Sequence, residues 1–364
     1  MELYIFDRDL NFQGILEGFF SLRWVRRYSK CGEFELHCGL TPETVSLLQR
    51  GNIVWKRGDL EAGYIEHRNL KQELDGKETL AVKGKFLTGY LSRRIIWGME
   101  NFNTTAENVI RELINKNVIN PTNANRKINI LALGTMKGYS GDITLQVSYR
   151  NLLETVEEIA TTNELGIRTL IDVSNKKIIF DIYKGLDRTA DNGINPPVIF
   201  SREFENILEQ EYTDSLNNYR NTALIAGAGE GIDRELVAIE SGQGLDRYEL
   251  FVDARDLQDK DEDNNPIPLV DYRGMLAERG RAKLAETREV LTFESKVNLH
   301  SNLKYKHDFD LGDIVTCMSK KWGITVDTRI TEIEEIYEEQ GFSVNITFGN
   351  NVPTLIDKIK QGVR

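Results

Sequence analysis

Three strand-forming runs between Leu303 and Gly349 constrain this chain more than any other feature. Asp308 to Asp313 turns the chain, Ile314 to Met318 begins a β run, Ile324 to Tyr337 carries a long one, and Gln340-Gly341 reverses it into Ser343 to Phe348. Ile330, Thr331, Ile333 and Ile336 are stiff at χ1 and favour strand, although the intervening glutamates keep helix open as the competing reading. A fainter copy stands near the N-terminus. Gly51-Asn52-Ile53-Val54 answers Gly312-Asp313-Ile314-Val315, and Ile65, Gly76 and Gly84 keep the mutual spacings of Ile330, Gly341 and Gly349. The copies differ by four residues between the turn and the long strand, and the hydrophobic phase slips after the hairpin glycine. A true repeat here means two related β units with something else between them.

The length of 364 residues gives room for two to four domains and a sizeable core. No apolar run approaches the roughly 20 residues a membrane helix needs. The start, MELYIFDRDL, lacks the basic and apolar regions of a signal peptide, so synthesis and folding in a cytoplasm are expected. Three cysteines, Cys31, Cys38 and Cys317, are too few and odd in number for a disulfide framework. The net charge of −11 repels phosphate backbones and argues against sequence-specific nucleic-acid binding.

In chain order, Leu3 to Phe6 and Gln13 to Leu16 read as a hairpin, followed by strands at Phe20 to Val25 and Glu33 to Cys38. Thr41 caps a short helix with Pro42 in its first turn and Gly51 at its stop. Strands at Ile53 to Trp55, Ala62 to Leu70 and Leu80 to Val82 complete a first unit with the texture of a small barrel or sandwich. Helices are expected from Thr104 or Thr105 to Lys116 and from Ser148 to Asn163, with an Asn-rich loop, Asn115 to Asn129, after the first. A two-stranded meander comes next, Gly166 to Val173 and Lys177 to Tyr183, and the loop Thr189 to Pro197 closes this α+β insert. Strands resume at Glu203 to Asp214, Asn221 to Ala226, Arg234 to Ser241 and Tyr248 to Asp253. An acidic loop from Asp256 to Pro268, a helix from about Val270 to Glu289 despite Gly274 and Gly280, and a strand at Val290 to Asn298 lead into the opening stretch.

Chemistry is sparse. Gly227-Ala228-Gly229-Glu230-Gly231 leaves an apolar run as phosphate-binding turns do, but an alternating strand pattern succeeds it where a helix is needed, so a hairpin tip is the expected role. Cys31, His37 and Cys38 lack the further ligands of a zinc site, and Phe34, Leu36 and Cys38 alternate as the core face of a strand. Glu334-Glu335, Glu338-Glu339 and the Asp259 to Asp263 run read as solvated faces rather than glycosidase acids. His37, His67, His300 and His307 show no metal spacing, and no Ser or Cys stands in a nucleophile elbow. Arg23, Arg26, Arg27 and the pair Arg93-Arg94 suit a contact between subunits. No catalytic, cofactor or metal residue is therefore expected, and a scaffold is the simplest role.

The order of these elements resembles a known family. Gly32-Glu33-Phe34-Glu35-Leu36, Gly63-Tyr64-Ile65-Glu66, Val82-Lys83-Gly84 and Gly89-Tyr90-Leu91-Ser92-Arg93-Arg94-Ile95-Ile96 resemble the start of a siphophage tail protein family found also in prophages of Gram-positive bacteria. Asp308-Phe309-Asp310-Leu311-Gly312-Asp313-Ile314-Val315 and Ile330-Thr331-Glu332-Ile333 resemble its C-terminal barrel. That family is similar to the central baseplate hubs of contractile tails. The resemblance implies a mainly β fold with an α+β insert: a first tail-tube-like β-barrel at 1–99, the insert at 100–202, and a second β-barrel from 203–255 and 288–349. The acidic loop and helix form an excursion at 256–287, and a tail covers 350–364. It further implies a homotrimeric, pseudo-six-fold ring in the virion tail, between a tail tube or distal tail protein and a tail tip or fibre protein, with an acidic lumen for DNA. Because the chain stops at Arg364, any cell-wall hydrolase is expected on another polypeptide. Two other readings compete: a carbohydrate-binding module stacking sugars on Trp24, Trp55, Trp97 or Trp322, and a glycan hydrolase using acidic pairs.

Overall fold

A computed structural model describes residues 1–261 and 264–349. The tail at 350–364 and Glu262-Asp263 of the acidic run lie outside the described residues. The first unit comprises β1 (Leu3–Phe6), β2 (Phe12–Leu16), β3 (Ser21–Arg27), β4 (Glu33–Gly39), helix α1 (Pro42–Leu47), β5 (Ile53–Lys56), β6 (Ala62–Gln72) and β7 (Glu78–Phe86). The Thr41 hydroxyl accepts the Thr44 N–H while the Thr44 hydroxyl accepts the Thr41 N–H, so two donors at the start of α1 are satisfied reciprocally.

The insert holds β8 (Met99–Thr105), α2 (Ala106–Ile114), β9 (Leu131–Leu133), β10 (Asp142–Ser148), α3 (Leu152–Thr162), β11 (Gly166–Asp172), β12 (Lys177–Tyr183), β13 (Asp187–Arg188) and β14 (Ile199–Phe200). The expected meander gains β9 as a parallel third strand, and a β8–β10 ribbon precedes α3. Helix α3 starts later than expected because Asn151, not Ser148, caps it, accepting the N–H groups of Leu153 and Glu154. Val109, Ile110, Leu113, Val156 and Ile159 are buried in the same continuous core as Leu3, Trp24 and Ile65, so the insert shares the first unit's interior.

The remainder comprises β15 (Ile207–Ser215), β16 (Thr222–Ala226), β17 (Leu236–Ile239), β18 (Glu249–Asp253), α4 (Leu269–Glu286), β19 (Val290–Val297), β20 (Ile314–Ser319), β21 (Ile324–Glu338) and β22 (Gly341–Gly349). Here the pairing departs from expectation. Strands β16, β17 and β18 do not continue the second β unit; they form their own sheet, ordered β17-β16-β18, with a separate core of Ala223, Ile225, Val252, Tyr272, Met275 and Leu276 under α4. The parallel β16–β18 pair is the physical reason, since parallel neighbours need a long crossover and leave no hairpin signature. Gly280 survives in α4 because a Cβ there would lie 2.6 Å from Ile225 Cδ1; the glycine lets the helix settle on β16.

Both β units share one hydrogen-bonded sheet, ordered β15-β19-β22-β21-β3-β4-β7-β6-β5-β1-β2, with β20 on the first half of β21 and β13 and β14 beside β20. The pairing of the described residues leaves this path open at both ends instead of closing either unit into a separate barrel.

The internal repeat is visible in backbone geometry. Gly51 N–H donates to Ile65 O and Ile65 N–H to Asn52 O, at 2.8 and 2.9 Å; Gly312 N–H donates to Ile330 O and Ile330 N–H to Asp313 O, at 2.9 and 2.8 Å. Both glycines are left-handed, with φ of +90° and +96°, which only glycine adopts at little cost. Each long strand then carries a β-bulge at the same place, between Ile65 and His67 and between Ile330 and Glu332. The extra four residues lie at one hairpin tip: β20 and β21 stay paired out to Ser319 and Ile324, whereas the β5–β6 pairing stops at Trp55 and Ala62. The phase slip has a cause too. Gly84 faces Ile65, but Phe348, not Gly349, faces Ile330, so the match of Gly84 to Gly349 is one residue out of register. Through the ladders Phe34↔Gly84 and Phe293↔Phe348, then Trp24↔Phe34 and Tyr212↔Phe293, β4 corresponds to β19 and β3 to β15. No helix among the described residues is long and apolar enough to cross a membrane.

Candidate functional site

The two units meet where β21 pairs antiparallel with β3, from Glu332↔Arg27 to Glu338↔Ser21. Around this seam the chain concentrates its buried charge. Arg26 Nε donates to Glu61 at 3.1 Å and its Nη1 to Asp310 and the Tyr305 hydroxyl, at 2.6 and 3.0 Å. Across the ladder, Glu335 is fully buried and accepts from Lys56, from Lys306 at 3.1 Å, and from the hydroxyls of Tyr305 and Tyr337 at 2.8 and 2.7 Å. Asp59 completes the group, 2.8 Å from Lys56 and 3.1 Å from Lys306. Arg23, Arg26 and Arg27 thus do not await another subunit. Arg23 pairs with Glu334, and Arg27 with Glu332 at 2.7 Å, so all three tie the first unit to the second within one chain.

This arrangement can lock the two units together: each of its carboxylates is held by at least one cation. Burial opposes ionisation of Glu335 and Asp59, but Lys56 and Lys306 outweigh it and hold both below the ordinary carboxylate range. Burial raises Glu61 despite Arg26, and it raises Tyr305 far above an ordinary phenol. Carboxylates depressed in the folded state contribute stability that is complete above the unfolded value, near 4, and is lost as pH falls through the folded one. Glu61 works the other way, being relieved by protonation. Stability against urea is therefore expected to hold down to about pH 5 and to fall below about pH 4. Glu335→Gln should flatten that fall by about one proton's worth of slope; an unchanged slope would remove Glu335 from the acid response.

The other singled-out residues sit apart from the seam. Cys31, Cys38 and Cys317 are buried free thiols, and Cys38 faces the core while His37, on the opposite face of β4, bonds Glu35 at 2.8 Å. Gly227 lies under α4, where a Cβ would be 2.4 Å from the Tyr272 hydroxyl, and the Ala228 N–H donates to that hydroxyl at 2.8 Å. The chain then makes a single 3-10 turn, Gly231–Asp233, not a helix that could hold phosphate. Arg93 stacks 4.3 Å over Tyr90, and Arg94 donates to Arg126 O at 2.7 Å. Trp24 is buried in the core, and Trp55 is half-buried with its indole N–H on Asp59 O at 2.8 Å, so neither offers a sugar platform; Trp97 and Trp322 are exposed. Sequence reasoning placed Glu335 on a solvated face and missed Lys56, Asp59, Glu61, Tyr305 and Asp310 as its network. Glu335 stands directly opposite the core residue Trp24, a register between distant strands that left no local signal in the sequence.

Comparison with known proteins agrees with this architecture. The structure is similar to a tail protein from Neisseria meningitidis (TM-score 0.60, 12% identity, 96% of each chain covered) and to prophage tail protein gp18 from Listeria monocytogenes (0.58, 14%, 100% of this chain and 98% of that one). It is also similar to the 43 kDa tail protein of prophage MuSo2 from Shewanella oneidensis (0.57, 12%, 96% and 98%). At such identities the likeness is one of fold. No curated protein matches the chain. The family model of the Siphovirus ReqiPepy6 Gp37-like protein matches residues 2–350. Spanning nearly the whole sequence, that match assigns the chain to the Siphovirus ReqiPepy6 Gp37-like protein family.

Proposed function

We propose that this chain is the hub of a siphophage or prophage tail, a homotrimer whose six β units form a pseudo-six-fold ring between the tail tube and the tail tip. The observation that carries this reading is the duplicated unit. Two copies with the same glycine turn and the same bulge, fused edge to edge in one sheet, are what a chain needs to present six-fold geometry from three subunits. In this reading each unit closes into a barrel-like wall only in the company of its neighbours, and the lumen passes DNA, the net charge of −11 discouraging adsorption. The action is mechanical, and no step of bond chemistry is assigned to the chain. A tube protein and a tip or fibre protein are its neighbours above and below.

Light scattering across a concentration series tests this directly. A mass of three chains, 41.6 kDa each, is the expected result. A chain that stays monomeric at the highest concentrations would overturn self-assembly into a ring.

A further inference from the structure

Among the open strand edges of the described residues, two are counterparts of strands that meet their partners inside the chain. The long strand β21 pairs with β3 at the seam. Its counterpart β6 pairs beyond the bulge, from His67 to Gln72, with β7 alone, and the counterpart of β3, β15, pairs with β19 alone among the described residues. We propose that β6 of one copy pairs antiparallel with β15 of the next copy in the register of the β21–β3 seam, setting Arg68 opposite Asp214, Leu70 opposite Tyr212 and Lys71 opposite Glu211. This rests on the ring reading above and names the surface through which the copies would join.

The register comes from the repeat. Ile65 corresponds to Ile330, which places Arg68, Leu70 and Lys71 at the positions of Ile333, Glu335 and Ile336. Trp24 corresponds to Tyr212, which places Glu211 and Asp214 at the positions of Arg23 and Arg26. The in-chain pairs Ile333↔Arg26, Glu335↔Trp24 and Ile336↔Arg23 then translate into the three named ones. The derivation uses hydrogen-bond register alone, yet it sets a cation against an anion twice and an apolar side chain against an aromatic once.

Features of the free edges that are costly in isolation agree with this. Leu70 is 52% exposed. Glu211 stands directly opposite Glu294, and burial together with Glu211 and Glu332 raises the Glu294 carboxyl; Arg27 serves Glu332 at the far end of this row, and Lys71 would bring a cation to the Glu211 end. Lys71 has an exposed ion pair with Glu73, 2.6 Å long, which exchanges readily. Of the buried polar side-chain atoms without a hydrogen-bond partner, Arg68 Nε lies on β6 and Gln210 Oε1 on β15, and the same register puts Gln72 opposite Gln210. Arg68 is otherwise held by Gln49 Oε1 and Val45 O, and Gln210 by Ser319 Oγ, so each edge keeps one polar position open to a partner strand. The contact is head-to-tail, and in the ring reading three such joints alternate with three in-chain seams.

Cysteine pairs in the full chain test the register. Leu70→Cys with Tyr212→Cys should form disulfides between chains on mild oxidation, running as a trimer on a non-reducing gel, because directly opposite residues on one face approach within bridging distance. Leu70→Cys with Thr213→Cys points to opposite faces and should not bridge. Lys71→Glu and Glu211→Lys should each weaken assembly at low salt by about tenfold or more, with the double swap restoring it. Trimers by light scattering that neither bridge through Leu70→Cys/Tyr212→Cys nor respond to the swap would overturn this register while leaving the ring reading intact. A wild-type chain that never assembles would overturn both, and capture of the β6 edge by a different tail protein in place of a second copy would overturn the β6–β15 pairing alone.

Discussion

Lys56→Met is expected to cost about 3–5 kcal/mol of folding stability, the range for removing one partner of a buried ion pair. Lys56 is 4% exposed and stands between Asp59 and Glu335, whose side chains are 6% and 1% exposed. Without its ammonium, two dry carboxylates share Lys306 alone, and Lys306 is 39% exposed, so water screens what it contributes. Methionine keeps most of the volume, which confines the loss to charge. Lys56 also lies 5.0 Å over the Trp24 ring, and that contact goes with it. Urea denaturation at neutral pH measures the effect. Lys56→Met combined with Glu335→Gln should recover a large share of it, since the pair is replaced rather than broken. A loss below about 1 kcal/mol for Lys56→Met would mean that the seam is hydrated and its charges are worth no more than surface pairs.

The same residues mark the boundary of what the sequence discloses. Local signals carried the first unit well: the Thr41 cap and the alternation of Phe34, Leu36 and Cys38 each depend on neighbours within a few positions, and each element stands where expected. The faint repeat was legible through its glycines because a left-handed turn tolerates little else. Glu335 was not legible, because its partner Lys56 lies 279 positions away and a Glu-Glu dipeptide in an acidic chain looks solvated. Strands β16 to β18 were visible as strands but not as a separate sheet, since pairing is a long-range property that β propensity does not encode. The Arg23, Arg26 and Arg27 cluster was rightly read as a contact but assigned to the wrong level of assembly. Arginines facing another subunit and arginines facing a duplicated unit of their own chain look alike in sequence.

Gly84→Ala tests the duplication from the inside, where the two copies diverge most. In the second unit the position facing Ile330 holds Phe348, packed near Phe293 and Phe200 in that unit's core. In the first unit the facing position is Gly84, and the Phe34 ring takes the space beside it. A Cβ on Gly84 would lie 1.9 Å from Tyr64 O and 2.8 Å from Tyr64 C, and 2.7 Å from Phe34 Cε1. The first two are backbone atoms at the bulged crossing of β6 and β7, and they cannot move without breaking the ladder beside Ile65. Phe34 cannot give way either, since Trp24 packs on it with centroids 5.6 Å apart. The expected loss exceeds about 4 kcal/mol, large enough to leave little soluble folded protein. Gly18→Ala, where an added Cβ meets nothing within 4 Å, should be neutral or slightly stabilising and controls for the chemistry of the change. Thermal and urea unfolding of the two variants decide the matter. A Gly84→Ala chain within about 1 kcal/mol of wild type would mean that β6 and β7 can separate at the bulge. The first unit would then be a softer copy of the second rather than an equally rigid one.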